Sequence, residues 1–201
     1  MIDVQAILDL HRAAVQRWHG RDFDNPHDGF LGLVCRQHEE NFRLWHQEDI
    51  ARSPDASDSA LAEVKRSIDK LNQRRNDLIE QMDDALVRQV RALSISPRSD
   101  GTLNTETPGS AIDRLSILAL RIFHMEEQAT RIDADEDHRQ KARQRLAILQ
   151  EQIRDLAASL SELLNDIMTG RKRLKVYRQF KMYNDPAMNP YLYGARKKPA
   201  A

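Results

Sequence analysis

Ionisable and amide side chains stand on helical faces that are otherwise apolar in three stretches of this chain. In the run from Thr107 to Met125, Asp113, Arg114, Ser116 and His124 interrupt Ile112, Leu115, Ile117, Leu118, Leu120, Ile122 and Phe123. At ~100° per residue, Asp113, Ser116, Leu120 and His124 share one side of a helix. In a second stretch the stripe Val34, Cys35, His38, Phe42 and Trp45 continues into Asp49, with His46 and Arg52 on its borders. In a third, Arg75 breaks an apolar seam, beside a polar stripe containing Asn72, Asn76 and Asp83. Two chemistries fit these residue types. Glu48, Asp49, Asp69, Asp83 and Asp113 could supply oxygen ligands to Mg²⁺, the ion that favours carboxylate and phosphate. Arg52, Arg75 and Arg114 could then fork onto phosphate oxygens, His46 or His124 could act as general base, and Asn72 and Asn76 would suit sugar hydroxyls. Alternatively, Asp113, Arg75, Asn72 and Trp45 satisfy one another as a buried lock. A guanidinium in a seam needs a carboxylate partner under either reading.

The elements that must carry these residues read as helices. Val4, Ile7, Leu8, His11, Val15 and Trp18 recur at helical spacing, and the pattern ends near Gly20. A loop of turn residues, 24–29, follows, then a helix over about Phe30–Arg52. A long helix spans about Leu61–Leu93, with Leu61, Val64, Ile68, Leu71, Leu78, Met82 and Leu86 at three-four spacing. Residues 94–101 form a loop. The central helix opens at Thr107 as a cap, with Pro108 in the first turn, where proline costs nothing. An acidic connector, 133–137, leads to a helix from about His138 to Thr169, which Gly170 closes. A short basic helix is expected over Arg171–Lys181. An extended tail with Tyr183, Asn184, Pro186, Asn189 and Pro190 is expected beyond it.

Composition agrees with helices. Aromatic residues make up only 5% of the 201, charged residues 31%, and there are seven glycines and seven prolines. Net charge is +0, which gives no footprint for nucleic acid. The charge is unevenly placed. From Arg171 onward nine basic residues face only Asp185, a net of +8, so the rest carries −8. Docking of the basic end on the acidic body is the expectation. The single Cys35 excludes an internal disulfide and a cysteine-cage zinc site. No run approaches the ~20 apolar residues of a membrane span, and the N-terminus has no signal-peptide pattern. The reading is a cytoplasmic chain. Phosphate loops, dinucleotide fingerprints, zinc-protease helices and nucleophile elbows are absent.

Four ordered motifs carry a family resemblance. They are Asn41-Phe42-x-Leu44-Trp45-His46-x-Glu48-Asp49-x-Ala51-Arg52, Lys65-Arg66-x-Ile68-Asp69-x-x-Asn72-Gln73-x-Arg75-Asn76-Asp77, Glu106-Thr107-Pro108-Gly109-Ser110-x-Ile112-Asp113-Arg114-Leu115-Ser116, and Lys181-Met182-Tyr183-Asn184-Asp185-Pro186-x-x-Asn189-Pro190-Tyr191. Over about 41–193 the chain resembles the bacterial all-helical family known as domain of unknown function 4254. The resemblance brings no established activity. It implies a link to cell-surface glycan pathways, because members are often encoded near glycosyltransferase genes. A glycosyltransferase partner or a sugar-nucleotide ligand is the corresponding expectation.

The sequence therefore predicts one all-α domain, 1–201. It comprises an N-terminal helix and loop (1–29), a bundle core (30–181) and an extended tail (182–201), with about five main helices in all. The function expected is an accessory or binding protein; the alternative is a Mg²⁺-dependent hydrolase or transferase of a nucleotide or sugar nucleotide. Candidate catalytic residues are His46, Glu48, Asp49, Asp113 and His124. Candidate ligand-binding residues are Trp45, Arg52, Asn72, Arg75, Asn76, Asp83, Arg114, Tyr183, Asn184 and Asn189. No metal ligand is assigned, and a homodimer through the three-four seams is a further expectation.

Overall fold

The computed structural model describes residues 2–178, 182 and 185–195. Five substantial helices, α1 (Val4–Trp18), α2 (Gly29–Ala51), α3 (Asp58–Ala92), α4 (Pro108–Thr130) and α5 (Glu136–Met168), are followed by a short α6 (Pro190–Ala195). The described residues hold no strand, only an isolated bridge between Thr102 and Lys172. The chain is an all-α bundle. No described helix is long and apolar enough to cross a membrane.

Each main start but one is written locally. Asp3, Ser57, Thr107 and Asp135 accept first-turn N–H groups of α1, α3, α4 and α5, satisfying donors that the helix itself cannot. Asp28 precedes α2 without such a bond. α3 and α5, 35 and 33 residues long, pair with α2 and α4 respectively, and α4 also touches α1, α2 and α3. The helix from Thr107 is thus central, as its nearly all-round apolar sequence demands. One core gathers Ile7, Val34, Met82, Leu86, Ile112, Leu115, Leu120 and Leu160, all fully or almost fully buried.

Gly109 sets how closely α4 meets α3. A Cβ there would lie 2.7 Å from the Ile79 carbonyl and 2.8 Å from Asp83 Oδ1, inside any real contact. Its N–H donates to Asp83 Oδ1 at 2.7 Å.

The C-terminal segment departs from expectation twice. Residues 171–178 are not helical. Gly170, at φ +73°, turns the chain out of α5, and the next backbone groups bond across to the loop before α4: Thr102 N–H to Arg171 O at 3.1 Å and Arg173 N–H to Thr102 O at 2.8 Å. A partner distant in sequence replaces the helical one. Nor is the tail extended throughout, since 190–195 form α6. Asn189 accepts from Tyr191 N–H at 3.0 Å, and Pro190 takes the first position, where its missing N–H is not needed. Within the described part of the basic end, Arg178 meets the acidic body, donating to Glu80 at 2.9 Å and to both Asp84 oxygens at 2.7 and 2.8 Å.

Candidate functional site

The polar residues divide into two groups. The first is a buried network where α2, α3 and α4 meet. Asp113 is 5% exposed. Its Oδ1 accepts from Gln37 Nε2 at 2.6 Å, Asn41 Nδ2 at 3.0 Å and Arg75 Nε at 2.7 Å. Its Oδ2 accepts from Arg75 Nη2 at 2.5 Å. Arg75 is therefore a two-pronged fork, its charge held more firmly by these bonds, and Nη1 reaches Asn72 Oδ1 at 3.4 Å. Asn41 Nδ2 also donates to Ser116 Oγ at 2.8 Å, and Ser116 Oγ lies 2.7 Å from His38 Nδ1. His38 Nε2 meets the His11 carbonyl at 3.2 Å. A carbonyl only accepts, so Nε2 carries the hydrogen and Nδ1 accepts from Ser116. Burial pushes the His38 pKa down to about 3 and also lowers that of His11, which His38 depresses further.

This network follows from helical spacing. Gln37, Asn41 and the intervening His38 lie on one face of α2, and Asp113 and Ser116 are three apart on α4. Arg75 enters from the seam of α3.

The second group lies where the C-terminal end of α1 meets α2 and α4. His19 caps α1, His46 stands in α2, and His124 in α4. One ligating nitrogen from each ring comes within 4.8 Å of the others, and this is the one group of three or more metal-ligating side chains among the described residues. His19 stacks on Phe123, with centroids 4.2 Å apart and planes at 17°. Trp45 stacks on His124 at 4.7 Å and 9°. His124 Nδ1 lies 2.8 Å from Glu127 Oε2. Its Nε2 is buried with no hydrogen-bond partner among the described residues. His46 Nδ1 is 3.8 Å from Asp49 Oδ2. Burial lowers the His46 pKa, and the neighbouring His19 and His124 add to the effect.

A cleft of about 660 Å³ opens beside this group, lined by Trp45, Asp49, Arg121, His124, Met125, Gln128, Arg145, Ile148 and Leu149. A wider groove of about 1000 Å³ runs between α4 and α5 and includes Arg114 and Arg121, but Glu106, Asp155, Glu162 and Asp166 stand on its walls. Neither is lined by Asp113, Arg75 or Asn72.

The expected site residues are thus placed apart. Trp45, His46, Asp49 and His124 gather at the histidine end; Asn72, Arg75 and Asp113 sit in the buried network. Trp45 stacks on His124 instead of joining Asp113. Asn76 is half-buried one turn beyond Asn72. Asp83 lies under the α4 start, where burial raises its pKa against the bonds from Thr107 and Gly109. Arg114 pairs with Glu106 at 2.9 Å, and Arg52 with Glu48 at 2.6 Å. Asn189 caps α6; Tyr183 and Asn184 lie outside the described residues. Sequence reasoning did not single out Gln37 or His19. Gln37 neighbours the apolar stripe at His38, which was a signal. His19 follows the last stripe residue, Trp18, and had none.

These features define a class: a helical bundle with a carboxylate–guanidinium lock at its centre and a histidine cluster with a cleft at one end. The chain belongs to the family described as protein of unknown function (DUF4254), whose model matches residues 31–176. No curated protein and no solved structure gives a significant match.

Proposed function

We propose that the protein is a small-molecule-binding bundle of the accessory kind, and that its ligand is an anionic, ring-bearing one of the sugar-nucleotide class. The observation that carries this is the cleft beside His124. Arg121 and Arg145 line it without an ion pair among the described residues, and Trp45 offers an aromatic surface beside apolar Met125, Ile148 and Leu149. Two free guanidinium groups suit a diphosphate, and an indole suits a base or sugar ring. The larger groove is less suited to an anion because four carboxylates line it. The implied association of the family with glycosyltransferase genes favours a sugar nucleotide and makes a glycosyltransferase the partner served.

Asp113 supports a binding role over Mg²⁺-dependent hydrolysis. Its oxygens already accept four hydrogen bonds, and no three carboxylates among the described residues come within reach of one ion.

A thermal-shift titration with uridine diphosphate glucose and other nucleotide sugars tests the reading. A ligand at 100 times its Kd adds about 2.7 kcal/mol to folded-state stability, a rise of several degrees in Tm. The rise should vanish in the double variant Arg121→Ala/Arg145→Ala, whose own Tm should stay near that of wild type. No shift across nucleotide sugars, nucleotides and sugar phosphates would reject the ligand class.

A further inference from the structure

His19, His46 and His124 bring one ring nitrogen each within 4.8 Å of the others. Their ring centroids are 5.1 Å (His19–His124), 5.3 Å (His19–His46) and 5.8 Å (His46–His124) apart, with planes at 75°, 74° and 81°. Three imidazoles bound through nitrogen to one tetrahedral ion at ~2.0–2.1 Å place their centroids about 5 Å apart. The ring spacing is therefore compatible with a three-histidine centre. The nitrogens, within 4.8 Å of one another, must close to about 3.4 Å on binding.

The proton arrangement agrees. In neutral rings, Nδ1 of His19 donates to the Val15 carbonyl at 2.8 Å, and Nδ1 of His124 to Glu127 Oε2 at 2.8 Å. Each leaves Nε2 with a lone pair. That of His124 is buried and unused, an expensive arrangement for an apolar packing cluster alone. A carboxylate behind a ligating imidazole fixes its tautomer and ring orientation; Glu127 holds that place for His124, and Asp49 lies 3.8 Å from His46.

We infer that His19, His46 and His124 form a site for a transition-metal dication of the zinc class, its fourth place left to water or a ligand oxygen. All-imidazole ligation selects zinc, cobalt, nickel or copper over Mg²⁺ and Ca²⁺, which require oxygen donors. The inference stands independently of any nucleotide ligand.

The test is titration of chelator-stripped protein with Co²⁺, read by the visible d–d bands of four-coordinate cobalt. One Co²⁺ per chain is expected, displaced by Zn²⁺ and not by excess Mg²⁺. His19→Gln and His46→Gln should each weaken binding at least about 100-fold, and Glu127→Gln about 10-fold, with His27→Gln unchanged. Circular dichroism checks that each variant folds. Where one does not, the ¹⁵N histidine spectrum of wild type decides, since Zn²⁺ should move the Nε2 resonances of these three rings together. Absence of stoichiometric binding, bands that persist in the histidine variants, or Nε2 resonances that stay in place would overturn the site and leave an aromatic packing cluster only.

Discussion

At the scale of single residues, the most consequential group is Asp113. Its side chain is 7% exposed and that of its partner Arg75 is 25% exposed, so neither is repaid by water if the other is removed. Breaking a buried pair from one side costs about 3–5 kcal/mol, whereas exchanging both partners for well-packed apolar ones can cost little. Asp113→Ala should therefore lower unfolding stability by about 3–5 kcal/mol in a urea titration, and Arg75→Met/Asp113→Leu by clearly less. Equal losses in the two would mean that the pair contributes only by packing. Part of this was legible in the sequence. A guanidinium in an apolar seam and a carboxylate on an apolar helix each demand a partner, and they are each other's. Ser116, on the Asp113 face of its helix, was legible too, and Gln37 stands beside the stripe at His38. That α2 crosses α4 at the level of Gln37 and Asn41 was not legible. His19 joins His46 and His124 only because α1 ends beside α2 and α4.

At the scale of elements, the meeting of α3 and α4 depends on Gly109. Any Cβ there would strike the Ile79 carbonyl and Asp83, and the Asp83 bond to Gly109 N–H would have to lengthen. Gly109→Ala should cost about 1–3 kcal/mol as overpacking, read as a fall in Tm. An unchanged Tm would show that the two helices can separate freely. The helices themselves were legible because their apolar positions recur at 3.6-residue spacing and because Thr107 and Gly170 punctuate them. The segment 171–178 reads as helix because its composition permits one. What redirects it is the positive φ of Gly170 and hydrogen bonding to Thr102, a pairing that no local pattern announces. The tail hid α6 for a related reason: two prolines read as breakers, while one of them sits at a helix start.

At the scale of the whole molecule, acid should destabilise the bundle through its buried histidines. Folded His38 has a pKa near 3 against an ordinary value of 6.5. Between those values the unfolded chain binds a proton that the folded chain excludes. Stability is then fully present above pH 6.5 and is lost as pH falls toward 3, at up to ~1.4 kcal/mol per pH unit for each such histidine. His11 acts in the same sense. Asp83 and Glu40, raised by burial, act in the opposite sense in their own range. Urea midpoints between pH 6.5 and 5 should fall in wild type and fall less steeply in His38→Gln; a flat profile in wild type would contradict the burial of neutral imidazole. The proposed roles are divided: the Asp113 network holds the bundle, and the cleft beside His124 binds the ligand. This division is tested most directly by calorimetric titration of Asp113→Asn/Arg75→Gln, verified as folded at low temperature, with whichever nucleotide sugar wild type binds. A Kd unchanged within about threefold is expected, alongside an unfolding midpoint below wild type, because the two amides leave the buried network only partly satisfied. Loss of binding with stability intact would contradict this division and return Asp113 and Arg75 to the ligand.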